Sequence, residues 1–314
     1  MSISADVLRS YRSIDEKTVD KLLAQEIKNN NKKIVVLDDD PTGVQTVHDI
    51  SVYTGWDADS LREAFAEENN LFYILTNSRG FTEEQTKAAH LEIADAVDKA
   101  AKEASRDYIF ISRSDSTLRG HYPLETRLLK ECYERNTGVK LDGEILCPFF
   151  KEGGRYTIGN VHYVKYGDEL VPAHETEFAK DKTFGYTAEN LPDYVEEKTA
   201  GEYKAKDVIS ISLEDIRSMD FDKIESQLMS AKNFNKIIVN AIDYSDIKVF
   251  AVALFRAMNA GKMFMFRTAA ALVKVMGGVS DMPLLTRSDM IVNETENGGI
   301  IVVGSHTAKT TSQL

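Results

Sequence analysis

The chain has 314 residues and a net charge of −12, and its 43% hydrophobic and 28% charged residues are ordinary for a globular protein with a sizeable core. The negative charge argues against a general binder of nucleic acid or of anionic membranes, although a few arginines can still make one cleft attract an anion. Cys132 and Cys147 are too few for a disulfide framework, and residues 1–33 contain neither a signal peptide nor a membrane span. These features predict a cytoplasmic protein.

Strand-like and helix-like segments alternate along the chain. An amphipathic helix is predicted over 16–28, and a continuous apolar strand follows at Ile34–Leu37. Further strands are predicted at Ile50–Thr54, Leu71–Thr76, Tyr108–Ser112, Glu144–Cys147, Ile237–Asn240, Met263–Phe266 and Ile300–Val303. Helical patterns occupy 57–68, 82–104, 121–135, 213–230, 245–260 and 268–276. The alternation predicts an α/β fold whose mainly parallel sheet is flanked by helices in a Rossmann-like three-layer arrangement.

Two segments interrupt this alternation. Residues 150–205 are rich in Gly, Tyr, His, Thr and charge, which predicts an irregular insertion or a hairpin over the sheet. Gly277-Gly278 and Pro283 predict a hinge before the last strand. The predicted domains are therefore 1–276 and 277–314, the second being a hinge and the first strand of a further domain. We expect most of that domain to lie outside the chain, which would leave the last strand as an exposed apolar edge.

Polar clusters follow several predicted strands, which is where ligands bind in open α/β sheets. After the first strand comes Asp38-Asp39-Asp40-Pro41-Thr42-Gly43, a carboxylate run suited to binding a cation, capping a helix or accepting hydroxyl protons. A second cluster, Thr76-Asn77-Ser78-Arg79-Gly80, offers an arginine that can hold a carboxylate by two bonds. A solvated turn and a surface arginine beside a helix cap are the respective alternatives.

The third cluster, Ser112 to His121, contains the widest range of polar and ionisable side chains. It places two guanidinium groups, several hydroxyls, one carboxylate and one imidazole ahead of a helix. Arg113 and Arg119 can bind an anionic group, and the segment Ser114–Ser116 can recognise a polyol. The fourth cluster, Pro148 to Thr157, has the pattern of a mobile loop with a basic anchor and aromatic walls, and a solvated Gly-rich loop is its alternative.

Several common catalytic motifs are missing from the sequence. It contains no H-E-x-x-H, paired C-x-x-C or G-x-S-x-G pattern, and no G-x-G-x-x-G follows the first strand. The stretch from Gly304 to Thr310 lacks the second glycine of a Walker A loop. A structural zinc site, a serine-hydrolase elbow, a dinucleotide fingerprint and a standard P-loop are therefore not indicated.

Taken together, the polar blocks resemble the four-carbon acid sugar kinase family. The matching segments are Asp38–Asp49, Ser112–Glu125, Pro148–Thr157 and Val303-Gly304-Ser305, and the resemblance extends from residue 33 to the end of the chain. It implies an N-terminal α/β domain that binds a sugar acid and a C-terminal domain that binds a nucleotide. Members transfer the γ-phosphoryl group of ATP to a hydroxyl of a threonate-, erythronate- or 3-oxo-tetronate-type acid.

The resemblance also implies which residues act. Substrate contacts would come from Asp39, Asp40, Arg79 and the segment Arg113–Ser116, and the ATP site would begin at Gly304-Ser305. A homodimer is implied as well. Many members carry Ala-x-Asp after the Thr-Gly pair, whereas this chain has Val44-Gln45-Thr46, so that Thr46 replaces a carboxylate near the substrate.

Phosphoryl transfer needs positioned reactants, a base for the hydroxyl and cations for the phosphate charge. Arginines are expected to orient the acid's carboxylate, Asp39 or Asp115 to accept the proton, and Mg²⁺ to bridge phosphates and carboxylates. The predicted site comprises catalytic Asp39 and Asp115; substrate-binding Asp40, Thr46, Arg79, Arg113, Ser114, Asp115, Ser116, Arg119 and Arg155; and nucleotide-binding Gly304 and Ser305, with no metal ligands.

The main hypothesis is thus the sugar-acid-binding part of an ATP- and Mg²⁺-dependent kinase. Its partner is a small four-carbon sugar acid, with no nucleic acid and no membrane. Two alternatives stay open. One is a stand-alone module that binds a hydroxy acid without catalysis, and the other is a hydrolase or isomerase that uses the aspartate cluster with a metal.

Overall fold

The computed structural model describes residues 1–291, 298, 300–304 and 308–314. Their contacts divide the chain into two compact units, Met1–Ser280 and Asp281–Leu314. The strands are β1 (Ile3–Ser4), β2 (Lys33–Asp38), β3 (Val52–Tyr53), β4 (Leu71–Leu75), β5 (Tyr108–Arg113), β6 (Gly143–Cys147), β7 (Arg155–Ile158), β8 (Val161–Tyr166), β9 (Glu169–Pro172), β10 (Ile209–Ile211), β11 (Asn235–Val239) and β12 (Phe264–Thr268).

The helices alternate with the strands in Met1–Ser280. They are α1 (Glu16–Asn29), α2 (Ala58–Ala66), α3 (Glu83–Glu103), α4 (Leu124–Thr137), α5 (Leu191–Lys198), α6 (Leu213–Arg217), α7 (Phe221–Ser230), α8 (Tyr244–Asn259) and α9 (Ala270–Met276). In Asp281–Leu314 the helices are α10 (Arg287–Met290) and α11 (Ala308–Gln313). No helix in the described part of the chain is both long enough and apolar enough to span a membrane.

Eight parallel strands form the main sheet in the order β10-β11-β6-β12-β5-β2-β4-β3. Every residue of β2, β5, β6 and β12 is buried, as expected for parallel strands that are covered on both faces. Helix α3 packs against α2 and α4, while α8 packs against α1, α7 and α9. The predicted three-layer α/β fold with a parallel sheet is therefore confirmed.

Most predicted elements form close to their expected bounds, and the differences have local causes. The single helix predicted over 213–230 is wrong, because Met219 has a φ of 58° and the Asp220 side chain caps α7 instead. The helix predicted from residue 121 begins only at Leu124, after Pro123. The short edge strand β10 was not predicted.

The strand predicted at Ile300–Val303 is also wrong. The structure assigns no strand to these residues, and Ile300, Ile301 and Val302 are each more than four-fifths exposed. A strand needs a neighbour that pairs with its backbone, and the described residues of Asp281–Leu314 provide none.

The segment 150–205 contains antiparallel hairpin strands, which confirms the hairpin alternative, and continues through 3₁₀ turns and loops to α5. Strands β7, β8 and β9 pair antiparallel, and β1 joins the outer edge of β9. A bridge between Thr157 and Ala241 connects this small sheet to the segment after β11. Tyr156, Tyr163 and Leu170 from the small sheet belong to the main core.

The topology of the main sheet defines a crevice beside β2. The chain leaves β2 for β3 and β4 on one side and then crosses to β5 on the other. In open α/β sheets, ligands bind outside the carboxyl ends of the strands at such a reversal of direction.

Candidate functional site

The aspartate run lies at the carboxyl end of β2 and is held by Arg79, which follows β4. Arg79 donates from Nε and Nη2 to the two carboxylate oxygens of Asp39, at 3.1 and 2.7 Å, and from Nη1 to Asp40 at 3.0 Å. The Asp39 side chain is 3% exposed, whereas Asp40 is about a quarter exposed. Of the two carboxylates, Asp40 therefore offers the more open oxygen atoms.

Arg113 closes the other side of this run from the end of β5. It forms an ion pair with Asp38 and donates to the Asp40 carbonyl at 2.6 Å, and its side chain is only 6% exposed. A Cβ at Gly43 would lie 1.9 Å from Arg113 Nη2 and 2.1 Å from Asp38 Oδ2, so the turn passes where only glycine fits. Arg113 is thus occupied by the backbone and carboxylates of the turn.

The three successive carboxylates have different acidities. Burial raises the pKa of Asp38 to about 7, and burial also raises the pKa of Asp39 above its ordinary value. For Asp40, burial acts in the same direction but is outweighed by hydrogen bonds from Thr42 and by the Arg79 charge, so that its pKa is lowered. The interior carboxylates are therefore the ones disposed to take up a proton.

Asp115 holds the loop between β5 and α4. Its Oδ2 accepts from Thr117 N at 3.2 Å and from Arg119 N and Nε at 3.3 and 2.8 Å, and it also bonds the Thr117 hydroxyl. Burial favours the neutral acid, but the bonds from Arg119 and the charge of Arg79 outweigh it and hold the pKa of Asp115 well below its usual range. Asp115 is consequently an ionised group whose oxygen atoms are already engaged.

Arg119 and Arg155 both lie near the aromatic ring of Phe178. The guanidinium carbon of Arg119 is 5.0 Å from the centre of the Phe178 ring, and that of Arg155 is 5.5 Å from it. Arg155 donates to the Gly153 carbonyl, and its Nε is buried without a partner. Within the described residues, no carboxylate lies within ion-pair distance of Arg155. Burial lowers the pKa of Arg155, and Asp115 partly offsets that effect.

The remaining predicted site residues differ in their burial and in the part of the chain where they lie. Ser114 is 1% exposed, and its hydroxyl is 3.4 Å from the Ser112 carbonyl. Thr46 is also buried, with its hydroxyl 3.5 Å from the Ala270 carbonyl. Ser116 is half-buried beside Asp115. Gly304 lies in Asp281–Leu314, and Ser305 lies outside the described residues.

Arg267 and Glu125 belong to the same polar network but were not among the predicted site residues. Arg267 is the penultimate residue of β12 and donates from Nη1 to Glu125 at 2.7 Å and from Nη2 to the Arg119 carbonyl at 3.0 Å. Glu125 also accepts a bond from Ser78 at 3.0 Å. Arg79 and Arg113 were identified as arginines that follow apolar strand segments within a few residues. Arg267 directly follows the apolar run Met263–Phe266 and could have been identified in the same way.

The fold is an α/β domain with polar side chains gathered at the carboxyl ends of its parallel strands. Residues 34–276 match the family model described as the sugar-binding N-terminal domain. The chain belongs to the four-carbon acid sugar kinase family, also known as the family DUF1537.

Two solved structures are similar to this chain at low sequence identity. A DUF1537 protein from Bordetella bronchiseptica, a domain-swapped dimer with bound citrate, is 18% identical with a TM-score of 0.55, and the match covers 78% of this chain and 55% of that one. A DUF1537 protein from Haemophilus influenzae is 18% identical with a TM-score of 0.48, covering 77% and 55%. The chain thus spans about half the length of these structures. No curated protein matches the sequence.

Proposed function

We propose that this chain is the substrate-binding part of an ATP-dependent kinase that phosphorylates a hydroxyl of a four-carbon sugar acid of the threonate or erythronate type. The observation that carries the proposal is Arg155, a largely buried guanidinium group beside Arg119 and Phe178 that has no carboxylate within ion-pair distance among the described residues. A buried cation without a counterion is stabilised when an anion binds to it. Membership of the family supports the same ligand class.

In this proposal the acid's carboxylate binds to Arg155 and Arg119. The hydroxyl groups contact Asp40 and Ser116, which are the more exposed polar side chains beside the arginines. Recognition of several hydroxyls at defined positions requires fixed donors and acceptors, which the ion pairs to Arg79 supply for Asp40. A neutral polyol would lack the carboxylate contact and would bind more weakly.

We assign the role of proton acceptor to Asp39. As the substrate oxygen bonds to the γ-phosphorus of ATP, its proton passes to the Asp39 carboxylate and the bond to the leaving ADP breaks. A carboxylate whose pKa is raised by burial accepts a proton more readily than one whose pKa is lowered. Asp115, whose pKa is held low by Arg119 and Arg79, is the weaker candidate.

The nucleotide enters the proposal through Gly304-Ser305 and the part of the protein that the longer relatives contain. Among the described residues, no three His, Cys, Asp or Glu side chains are grouped so as to hold a metal ion. Mg²⁺ therefore enters only as the ion that ATP phosphates carry. We further propose a homodimer in the cytoplasm, by analogy with the dimeric Bordetella structure and because both cysteines are free.

Binding measurements test the carboxylate contact directly. Threonate or erythronate should bind to the protein, and the corresponding neutral tetritols should bind more weakly. Arg155→Gln should weaken acid binding by about tenfold or more, because a charge-assisted contact is lost. Isothermal titration calorimetry measures both effects.

The matched control is Arg127→Gln, which removes an exposed arginine paired with Glu202 and should leave acid binding unchanged. Equal affinities for acids and tetritols, or an Arg155→Gln protein that binds like the wild type, would contradict the proposal. A stand-alone binding module predicts the same binding, so phosphoryl transfer by the full-length protein distinguishes it from the kinase.

A further inference from the structure

Four successive backbone carbonyls in the loop between β5 and α4 each face a side-chain donor from elsewhere in the fold. The pairs are His162 Nε2 with the Ser116 carbonyl at 2.6 Å, Tyr186 Oη with Thr117 at 3.4 Å, Tyr194 Oη with Leu118 at 3.0 Å and Arg267 Nη2 with Arg119 at 3.0 Å. We call these four donors the carbonyl clamp. The Tyr186 contact is long, whereas the other three have ordinary hydrogen-bond lengths.

The same loop turns its amide groups the other way. The N–H groups of Thr117 and Arg119 both donate to Asp115 Oδ2. Leu118 has a φ of 74° and Gly120 a φ of 119°. This left-handed backbone lets the carbonyls of the loop face the clamp while the amides of Thr117 and Arg119 face Asp115. A non-glycine residue such as Leu118 is strained in that region, and the surrounding contacts must offset the strain.

The clamp residue His162 is a neutral donor. Burial lowers the pKa of His162 to about 4, so the ring is uncharged near neutral pH. A carbonyl can only accept, which places the ring proton on Nε2, while Nδ1 accepts from the Thr157 hydroxyl at 3.0 Å. The small antiparallel sheet therefore holds Ser116 through a defined tautomer.

We infer that His162, Tyr194 and Arg267 are positioning residues for the sugar-acid site. By holding the carbonyls of Ser116, Leu118 and Arg119, they fix the direction in which Ser116 and Arg119 project. The insertion 150–205 then sets the affinity of the site through His162 and Tyr194. This inference rests on the proposed function, because it assumes that Ser116 and Arg119 contact the ligand.

Tyr194→Phe is the most direct test. Tyr194 is 2% exposed, and its ring stacks on Tyr122 at 5.7 Å and meets Tyr186 at 5.1 Å, so removing the hydroxyl preserves the packing. We expect the variant to bind threonate or erythronate about threefold to tenfold more weakly, the usual effect of one lost hydrogen bond. We also expect the amides of Thr117 and Arg119 to exchange hydrogen faster than in the wild type.

The control is Tyr108→Phe, another buried tyrosine, whose hydroxyl is 3.5 Å from Asp98 at the opposite end of β5. It should change neither the affinity nor the exchange of the two amides. In a second comparison, His162→Gln should retain both properties because glutamine Nε2 can still donate, whereas His162→Ala should lose them. This rescue separates positioning from a general loss of stability.

Wild-type exchange rates and wild-type affinity in Tyr194→Phe would overturn the inference. If the wild-type protein binds no sugar acid, the proposed function fails while the exchange of Thr117 and Arg119 still decides whether the clamp orders the loop. The two failures are therefore distinguishable.

Discussion

Asp39 and Asp115 show how the same side chain acquires different properties at two neighbouring strand ends. Asp39 follows β2 and shares one arginine with Asp40, and burial dominates its pKa. Asp115 follows β5 and is bonded by the Arg119 guanidinium group near the charge of Arg79, and together these outweigh burial and lower its pKa. The balance between burial and the surrounding side-chain donors and charges thus distinguishes a candidate base from a structural anion.

Asp115→Asn should destabilise the protein at neutral pH. Loss of the charge should lower the free energy of unfolding by about 2–4 kcal/mol, because an amide cannot serve all the donors that converge on Oδ2. The pKa of Asp115 is lowered in the folded state, so its contribution is present above the unfolded pKa of about 4 and is lost as pH falls further. The difference from the wild type should therefore shrink below about pH 4.

Urea unfolding at pH 7, 5 and 3 measures this difference. Asp57→Asn is the matched control, because Asp57 is an exposed aspartate that caps α2 and asparagine caps equally well. A destabilisation by Asp115→Asn no larger than that of the control would refute the structural role.

Strands β6 and β11 carry an ion pair inside the sheet at their amino ends. Glu144 and Lys236 are register partners whose side chains form a buried salt bridge, and the ammonium lies 3.9 Å from the Phe234 ring centre and 4.1 Å from that of Tyr203. Burial lowers the pKa of Lys236, and the Glu144 charge opposes that shift. Each charge is therefore tolerated only because of its partner.

Glu144→Gln should lower the free energy of unfolding by about 3–5 kcal/mol, because it leaves Lys236 buried without a counterion. The double variant Glu144→Gln/Lys236→Met should recover most of that loss, since it removes both charges while keeping similar volume. Chemical denaturation of the two variants provides the comparison. A double variant as unstable as Glu144→Gln would show that packing, rather than charge, dominates at this position.

At the scale of the whole molecule, the core belongs to one of the two units. All buried apolar side chains in the described part of the chain lie between Val19 and Met276. The last contacts of that unit include Val279 against the core and the Ser280 carbonyl, 3.2 Å from His48 Nε2. The stability of Met1–Ser280 should therefore come from its own residues.

A chain ending at Ser280 should fold with nearly the stability of the 314-residue chain and bind sugar acid with the same affinity. Urea unfolding followed by circular dichroism should give a difference below about 1 kcal/mol. A chain ending at Val273 is the comparison, because it removes Val275 and Met276 from the core and should be much less stable. A large loss in the Ser280 chain would show that Asp281–Leu314 contributes to the fold.

The sequence predicted the parts of the fold that depend on local patterns. Continuous apolar runs located the central strands, because a strand buried on both faces has apolar residues throughout. Periodic apolar patterns located the long helices, because a helix buried on one face repeats its apolar residues at the helical period. The edge strand β10 and the helix break at Met219 were not predicted, because short edge strands and left-handed turns have weak signals in the local sequence. The strand expected at Ile300–Val303 has the composition of a strand but lacks a pairing partner in the described unit.

By itself, the sequence determined the alternation of elements, the strand ends that carry polar clusters and the family to which those clusters belong. Tertiary structure alone decided how the charges are paired. Arg113 pairs with Asp38 and Asp115 with Arg119, whereas Arg155 has no carboxylate within ion-pair distance among the described residues. These outcomes depend on which donors meet across strands distant in the chain. Residue type predicts what a side chain can do, whereas packing determines which of its bonds are already made.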